Sequence, residues 1–160
     1  MTALIRPLND TDLDHLEAIE RRCFSTPWSR NQLSESVRHH AHLGLTLSHP
    51  SPIIGYAFFM QILDEAHLLN LVIDLPWQRQ GLGRFLLEAV LNHLRATAAQ
   101  SILLEVRASN LGARQLYAHA GFTVLSLRKG YYSTPDRTIR EDALVMRLAL
   151  CPTDSATTAV

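Results

Sequence analysis

The stretch Gln78-Arg79-Gln80-Gly81-Leu82-Gly83 decides how this sequence is interpreted. It follows an apolar run that ends at Ile73-Asp74 and precedes a segment, residues 85–94, whose apolar residues recur at helical spacing. Backbone N–H groups at a helix N-terminus lack partners within the helix and carry partial positive charge. Glycines let the backbone approach an anion closely. The stretch therefore predicts a cradle for a pyrophosphate, to which Arg79 and Arg84 add attraction.

A tight turn that only starts a helix is the simpler interpretation of two glycines, and the glycines alone do not exclude it. Two common phosphate-binding motifs fit poorly. The pattern GxGxxG fails because Leu86 stands in place of the third glycine, and the pattern GxxxxGK[ST] is absent. The apolar run before the turn also belongs to an antiparallel meander, which is wrong for a dinucleotide-binding fold.

The pattern around the glycine turn predicts an α+β fold in one domain, residues 1–150. A first strand and two short helices precede three meander strands, and the chain after the turn alternates helix and strand. The strands are predicted at residues 3–6, 41–47, 53–63, 67–73, 101–106, 123–127 and 143–148. A polar segment that contains Pro135 joins the last two. We expect residues 151–160, which are small and polar, to form a disordered tail.

Composition narrows the class of protein. Lys+Arg and Asp+Glu both number 15, so the formal net charge is zero, which argues against nucleic acid as the main partner. The two cysteines form no CxxC pair, and the N-terminus has neither a secretory signal nor a membrane span. We therefore expect a cytoplasmic protein that is a monomer or a weak oligomer. His39, His40, His42 and His49 cluster without a completing acid or cysteine, so we expect no metal site.

The chain resembles the GNAT superfamily, and more closely its RimI-type ribosomal-protein alanine N-acetyltransferases. The likeness covers roughly residues 3–150. It rests on Pro27-Trp28-Ser29, Asp64-Glu65-Ala66, Gln78 to Arg84, Leu104-Glu105-Val106-Arg107-Ala108-Ser109-Asn110, Leu116-Tyr117, Gly121-Phe122, Tyr131-Tyr132 and Arg140-Glu141-Asp142-Ala143. The resemblance implies the GNAT fold, a mixed, mainly antiparallel twisted sheet of about seven strands flanked by about four helices.

The resemblance also implies how acetyl-CoA, the acetyl donor, is held. Backbone groups of Leu71, Val72 and Ile73 would pair with the pantetheine arm like an added strand. The pyrophosphate would lie against Arg79, Gln80, Gly81, Leu82, Gly83 and Arg84. Asn110 would hydrogen-bond the cofactor near its thioester.

Acetyl transfer to an amine requires a base for the amine and an acid for the departing thiolate. Glu105 interrupts the apolar run Ile102-Leu103-Leu104-x-Val106, where an unpaired carboxylate is costly if buried. On pattern alone it is equally a solvent-facing residue or the partner of an arginine such as Arg107. The resemblance assigns it as the general base. Tyr117, otherwise a helix core residue, is assigned as the general acid.

Aromatic residues are expected around the acceptor. In the family, the loop containing Trp28 and the segment Tyr131-Tyr132 form walls of the acceptor groove. The alternative interpretation is that these aromatic residues only plug the ends of the sheet. RimI-type proteins often have asparagine where this chain has Gly130, a change that could loosen the loop or shift acceptor preference. Asp64 and Glu65 are read as solvated turn residues.

Three functions are compatible with the sequence and with the family that it resembles. The first is transfer of acetyl from acetyl-CoA to a protein α-amino group, with the N-terminal alanine of a small-subunit ribosomal protein as the expected acceptor. The second keeps the fold and changes the acceptor to a lysine side chain, another N-terminus or a small amine. The third is a non-catalytic acyl-CoA-binding module, which would need neither Glu105 nor Tyr117.

Overall fold

A computed structural model describes residues 2–150, so the predicted tail lies outside the described residues. One seven-stranded sheet forms the centre, in the order β1-β2-β3-β4-β5-β7-β6. Only β4 and β5 pair in parallel, and the other neighbours are antiparallel. The strands are β1 Leu4–Arg6, β2 Ala41–Thr46, β3 Gly55–Ile62, β4 Glu65–Ile73, β5 Ser101–Arg107, β6 Thr123–Ser133 and β7 Arg140–Ala149. The predicted mixed sheet and its meander, β2 to β4, are confirmed.

Within the described residues, four α-helices flank the sheet. They are α1 Leu13–Cys23, α2 Arg30–His39, α3 Leu82–Arg95 and α4 Leu111–His119. The start of α2 is fixed by a capping box in which Ser29 and Gln32 each bond the other's backbone N–H. Asn110 caps α4 by accepting a hydrogen bond from the Ala113 N–H. These caps fix where the helices begin, and Asn110 therefore stands at the end of the loop after β5.

The sheet separates two hydrophobic cores. Strand β3 is buried on both faces, because Tyr56 and Phe58 point into one core while Ala57 and Phe59 point into the other. The first core lies under α1 and α2, and the second lies under α3 and α4. This two-sided burial explains why β3 reads as a continuous apolar run rather than an alternating one.

Strands β4 and β5 separate partway along their length. Their parallel pairing runs from Glu65–Ser101 to Leu68–Leu104 and stops there. A β-bulge lies at the same level: Phe58 of β3 pairs with Asn70 and Phe59 pairs with Leu68, which leaves Leu69 unopposed. The last residues of β4 therefore diverge from β5 and leave a cleft between two central strands.

A fully buried carboxylate, that of Glu20 in α1, ties the elements beside this cleft together. It accepts hydrogen bonds from the Tyr56 hydroxyl, from the Asn70 amide at 2.9 Å and from the Trp28 backbone N–H at 2.8 Å. These donors come from β3, from the bulged part of β4 and from the segment that joins α1 to α2. These three hydrogen bonds offset the cost of burying the polar carboxyl group.

Strand β6 is longer than predicted, and the prediction that it ends at residue 127 is wrong. It continues to Ser133 and so contains Tyr131 and Tyr132. Between Arg128, opposite Ala143, and Tyr132, opposite Glu141, its register with β7 shifts at a bulge. Gly130 forms the bulge with φ +58°, and its N–H donates to Asp142 at 2.8 Å.

We expect Glu20→Gln to lower the free energy of unfolding by roughly 1–3 kcal/mol, because one of the three donors would then meet an amide NH₂ instead of an oxygen. Urea unfolding followed by circular dichroism measures this. The matched control is Glu17→Gln, one turn earlier in α1, which removes only surface ion pairs with Arg21 and Arg30. Equal effects of the two variants would contradict the structural role of Glu20.

The bulge also predicts how substitutions of Gly130 change the stability of the protein. A Cβ there would meet only the Arg140 Cβ, at 3.7 Å, so the constraint is the positive φ and not space. We expect Gly130→Val to lower the free energy of unfolding by roughly 1–2 kcal/mol and Gly130→Asn to lower it by less, because asparagine enters the left-handed region more readily. The same urea titration compares the two, and a valine variant as stable as the asparagine variant would refute the argument.

Candidate active site

The glycine turn has the geometry of an anion cradle. Arg79 has φ +63° and Gly81 has φ +82°, both in the left-handed region. Left-handed residues beside right-handed ones turn N–H groups toward one concave surface. Helix α3 begins at Leu82, so its first N–H groups have no intrahelical partner. A Cβ at Gly81 would meet no atom within 4 Å, which leaves the surface of the turn open.

The glutamine at the start of the motif fixes the turn to the sheet. The Gln78 side chain donates to the Ile73 carbonyl at 2.8 Å, and the Sγ of Cys23 lies 3.5 Å from the same oxygen. The end of β4 and the glycine turn are therefore held side by side. These donors already occupy the Ile73 carbonyl. Leu71 and Val72 precede Ile73, on the part of β4 that no longer pairs with β5.

A cavity of about 590 Å³, the glycine-loop cavity, lies between the turn, the end of β4 and helix α4. It is lined by most of the residues predicted to hold the cofactor: Leu71, Val72, Ile73, Arg79, Gly81, Gly83, Arg84 and Asn110. Gln80 and Leu82 do not line it. Gln80 donates to the Pro76 carbonyl, and Leu82 packs against the hydrophobic core. The side chains of these two residues are therefore not part of the cavity wall.

A second cavity, the central cavity, occupies the cleft between β4 and β5. Both predicted catalytic residues, Glu105 and Tyr117, line it. Tyr117 and Asn110 are shared with the glycine-loop cavity. The cleft thus connects the anion cradle with a carboxylate and a phenol.

A third cavity, the tyrosine cavity, opens on the other side of Glu105. Its walls include Trp28, Tyr131 and Tyr132, the three residues predicted to contact the acceptor. Trp28 stacks on Phe58 with ring centroids 6.0 Å apart, and the two tyrosines pack edge to face at 4.9 Å. Glu105 lines both this cavity and the central one, so it stands where they meet.

Glu105 is partly exposed, and its partner is not the arginine suggested by the sequence. Arg128 of β6 donates to its Oε1 at 2.6 Å. Arg107 instead contacts Glu141 at 3.3 Å and lies over the Tyr132 ring. Hydrogen bonding to Glu105, with burial as a smaller cause, raises the pKa of Tyr131. Burial, followed by the charge of Glu105, raises the pKa of Tyr132 to about 12.

Tyr117 is 7% exposed and packs against Phe122 with ring centroids 5.7 Å apart. Burial raises the pKa of its phenol well above the ordinary value. Within residues 2–150 no buried side-chain oxygen or nitrogen lacks a hydrogen-bond partner. The Tyr117 hydroxyl has no protein partner there, so it faces the open space of the cleft. It holds its proton at neutral pH and can donate it to an atom in the cleft.

Three residues of the site were missed by sequence reasoning: Glu20, Asn70 and Arg128. Glu20 and Asn70 line the central cavity and bond each other. The sequence could have pointed to Glu20, because it is an acid inside the apolar stripe of α1 formed by Leu16, Ile19 and Cys23. No sequence pattern pointed to Arg128, because it contacts Glu105 from β6 and the sheet places β7 between β6 and β5.

Neither a metal cluster nor a membrane-spanning helix occurs in the part of the chain that the structure describes. No group of three or more His, Cys, Asp or Glu side chains there is placed to hold a metal ion. His42, one of the clustered histidines, accepts a hydrogen bond from the Leu8 N–H at 3.0 Å. None of the helices is long and apolar enough to cross a bilayer.

Comparison with solved structures supports the fold. The ribosomal-protein-S18-alanine N-acetyltransferase of Escherichia coli superposes with a TM-score of 0.84 at 34% identity, covering 99% of each chain. Arabidopsis thaliana NAA60 in complex with acetyl-CoA gives the same TM-score, 0.84, at 19% identity, covering 93% of this chain and 99% of that one. At that identity the second likeness concerns the fold alone.

Sequence comparison identifies the family. Residues 13–122 match the acetyltransferase (GNAT) family. The [ribosomal protein bS18]-alanine N-acetyltransferase of Escherichia coli (strain K12) is 38% identical over 146 residues, which are 91% of this chain and 97% of that protein. The enzyme of the same name from Haemophilus ducreyi is 37% identical over 147 residues, 92% of this chain and all of the relative. The chain belongs to the GNAT family of acetyltransferases.

Proposed function

We propose that this protein transfers the acetyl group of acetyl-CoA to the α-amino group of the N-terminal alanine of ribosomal protein bS18. The observation that carries the reaction is the central cavity, where Glu105 and Tyr117 share one cleft that continues to the glycine turn. The acceptor is inferred from the relatives, which share 37–38% identity with this chain over nearly their whole length. Since that acceptor belongs to the ribosome, we infer a cytoplasmic site of action.

The residues present fit acetyl-CoA. The pyrophosphate would lie against the free N–H groups of Leu82, Gly83 and Arg84, with Arg79 and Arg84 adding positive charge. The pantetheine arm would follow the backbone of Leu71 and Val72, where β4 has no parallel neighbour. Amide groups along such an arm suit an unpaired strand edge, as in strand addition. When bound, acetyl-CoA would supply an activated acyl group, and Asn110, which lines both cavities, would hydrogen-bond it near the thioester.

Glu105 acts as the general base. An α-amino group has a pKa of about 7.7–8.0, so most acceptor N-termini arrive protonated at neutral pH. The carboxylate stands between the central and tyrosine cavities, where it can take a proton from an amine that enters from the tyrosine side. Removal of that proton exposes the nitrogen lone pair for attack.

Tyr117 acts as the general acid at the other end of the reacting bond. Its hydroxyl faces the cleft beside the glycine-loop cavity, so it would be the group that meets the sulfur of a bound thioester. The high pKa of its phenol keeps the proton in place until negative charge develops on the departing sulfur. Donation to that atom stabilises the thiolate as it leaves.

Trp28, Tyr131 and Tyr132 would enclose the first residues of the acceptor. Their rings line the tyrosine cavity and reduce the access of water to Glu105. Tyr132 also lines the central cavity, so it would lie closest to the reacting amine among the two tyrosines. No acetyl-enzyme intermediate is required, since acid and base stand in the same cleft.

A peptide panel tests the acceptor. The purified protein is incubated with acetyl-CoA and peptides of one sequence that begin with a free alanine, begin with an N-terminally blocked alanine, or carry an added lysine. We expect one acetyl group on the free α-amine and none on the blocked peptide, read by tandem mass spectrometry. Acetylation confined to lysine would refute the proposed acceptor. Tight cofactor binding without any transfer would instead favour a regulatory acyl-CoA-binding module.

Glu105→Gln tests the base. We expect turnover of the alanine peptide to fall by about 10²–10⁴-fold, the usual contribution of a positioned base. Affinity for acetyl-CoA, measured by calorimetry, should stay within about two-fold, because Glu105 does not line the glycine-loop cavity. Glu88→Gln, an equal charge change in an exposed pair with Arg95 on α3, is the control. Unchanged turnover in Glu105→Gln would remove this residue from the base role.

Tyr117→Phe tests the acid. The ring and its packing on Phe122 remain, and only the hydroxyl is lost, so the variant should fold normally. We expect turnover to fall by about 10²-fold at saturating peptide and acetyl-CoA. The partner control is Tyr56→Phe, whose hydroxyl bonds Glu20 in the other core and should affect stability more than turnover. Full activity of Tyr117→Phe would assign the proton donor elsewhere.

A further inference from the structure

The carboxylate that the proposed reaction needs as its base is engaged by a cation of the protein itself. The Arg128 guanidinium donates to Glu105 Oε1 at 2.6 Å and lies over the Tyr131 ring at 4.1 Å from its centroid. The bulge at Gly130 brings both residues to this position, because it shifts the register of β6 between Arg128 and Tyr132. The arginine reaches Glu105 across β7 and covers it from the β6 side.

No other cation contacts Glu105 within the described residues 2–150. Arg107, on the same strand, is held by Glu141 and Thr26. His67, which lines the tyrosine cavity, bonds Glu65 at 2.8 Å, and His40 lines the same cavity without bonding Glu105. Tyr131 and Tyr132 are the neutral groups that face the carboxylate. Among residues 2–150, Arg128 is thus the one cationic side chain that pairs with Glu105.

The α-amine of the proposed acceptor is a second positive charge that has to approach Glu105. This amine is mostly an ammonium at neutral pH, and Glu105 has to take a proton from it. Two cations that share one carboxylate repel each other, so the contact with Arg128 weakens the binding of the ammonium.

We propose that Arg128 is a displaceable latch, a guanidinium that occupies Glu105 in the acceptor-free protein and is exchanged for the ammonium of the incoming N-terminus. This inference rests on the proposed function, since it takes Glu105 as the base. The exchange needs no bond to form or break. Arg128 keeps its place over the Tyr131 ring and its half-exposed contact with water, while the acceptor's nitrogen takes over the carboxylate.

The latch sets the selectivity of the site for its acceptor. A neutral or poorly fitting amine binds Glu105 too weakly to displace the Arg128 guanidinium. A protein N-terminus presents an ammonium together with backbone that the walls of the tyrosine cavity can contact, so it can displace Arg128. The side chains near Glu105 therefore favour peptide N-termini over small amines.

Replacement of Arg128 tests this directly. With Arg128→Gln we expect the KM for the alanine peptide to fall by about two- to five-fold, the range set by a half-exposed ion pair. The kcat and the KM for acetyl-CoA should change by less than about two-fold. Lys129→Gln is the control. It removes an equal charge from the next residue of β6, which is exposed and does not pair with Glu105, so all three constants should stay unchanged. Arg128→Lys should restore much of the wild-type peptide KM.

Chemical complementation separates a latch from a residue that only holds Glu105 in place. In Arg128→Ala, guanidinium chloride at low millimolar concentration should raise the peptide KM toward the wild-type value and compete with the peptide. The same concentration of sodium chloride should not, and the wild type should respond to neither. A fall in kcat at constant peptide KM in Arg128→Gln, or inhibition by guanidinium that does not compete with peptide, would overturn the proposal.

The two proposals fail in different ways. If the wild type acetylates no peptide α-amine, the proposed function fails and the latch fails with it. If the wild type is active and Glu105→Gln is not, but Arg128→Gln leaves the peptide KM unchanged, only the latch is refuted. Calorimetric titration of peptide into the coenzyme A complex gives the same comparison without turnover, with tighter peptide binding expected for Arg128→Gln.

Discussion

The separation of β4 from β5 after the Leu68–Leu104 pair is the constraint on which the rest of the site depends. A parallel pair in the middle of a sheet is normally hydrogen-bonded along its length, because unpaired backbone groups in a core are costly. Here the bulge at Leu69 turns the end of β4 away, and the freed edges face a cleft. That cleft joins the helix N-terminus at Gly81 to the carboxylate of Glu105. A continuous ladder would leave no room for an acyl donor between them.

The cleft is kept open by polar groups rather than by packing alone. Glu20 bonds Asn70 at the bulge and the Trp28 N–H of the α1–α2 segment, so one buried anion sets the distance between two walls. Gln78 holds the opposite end by its bond to Ile73. A hydrophobic core would collapse into such a space, because apolar contacts are not directional. Directional hydrogen bonds to fixed donors instead fix the spacing of the walls.

The glycine turn, the capped start of α2 and the Asn110 cap could be predicted from sequence because each depends on local chemistry. Glu105 could be singled out because a carboxylate interrupts an apolar strand. The family and fold expected from these stretches are confirmed, while the roles of Glu105 and Tyr117 remain predictions. The extent of β6 could not be predicted, because most of its side chains are exposed and so show no alternation. The contact between Glu105 and Arg128 depends on sheet order, with β7 inserted between β5 and β6.

Gly130 shows how one backbone conformation at a bulge positions the side chains on either side of it. The position needs a positive φ so that its N–H can reach Asp142 and the chain can re-enter the ladder at Tyr132. Asparagine and glycine are the residues that adopt this conformation most readily, so either can form the bulge. Arg140 further holds the bulge by donating to the carbonyls of Gly130 and Tyr131. The glycine at the bulge therefore allows Arg128 and Tyr131 to stand beside Glu105.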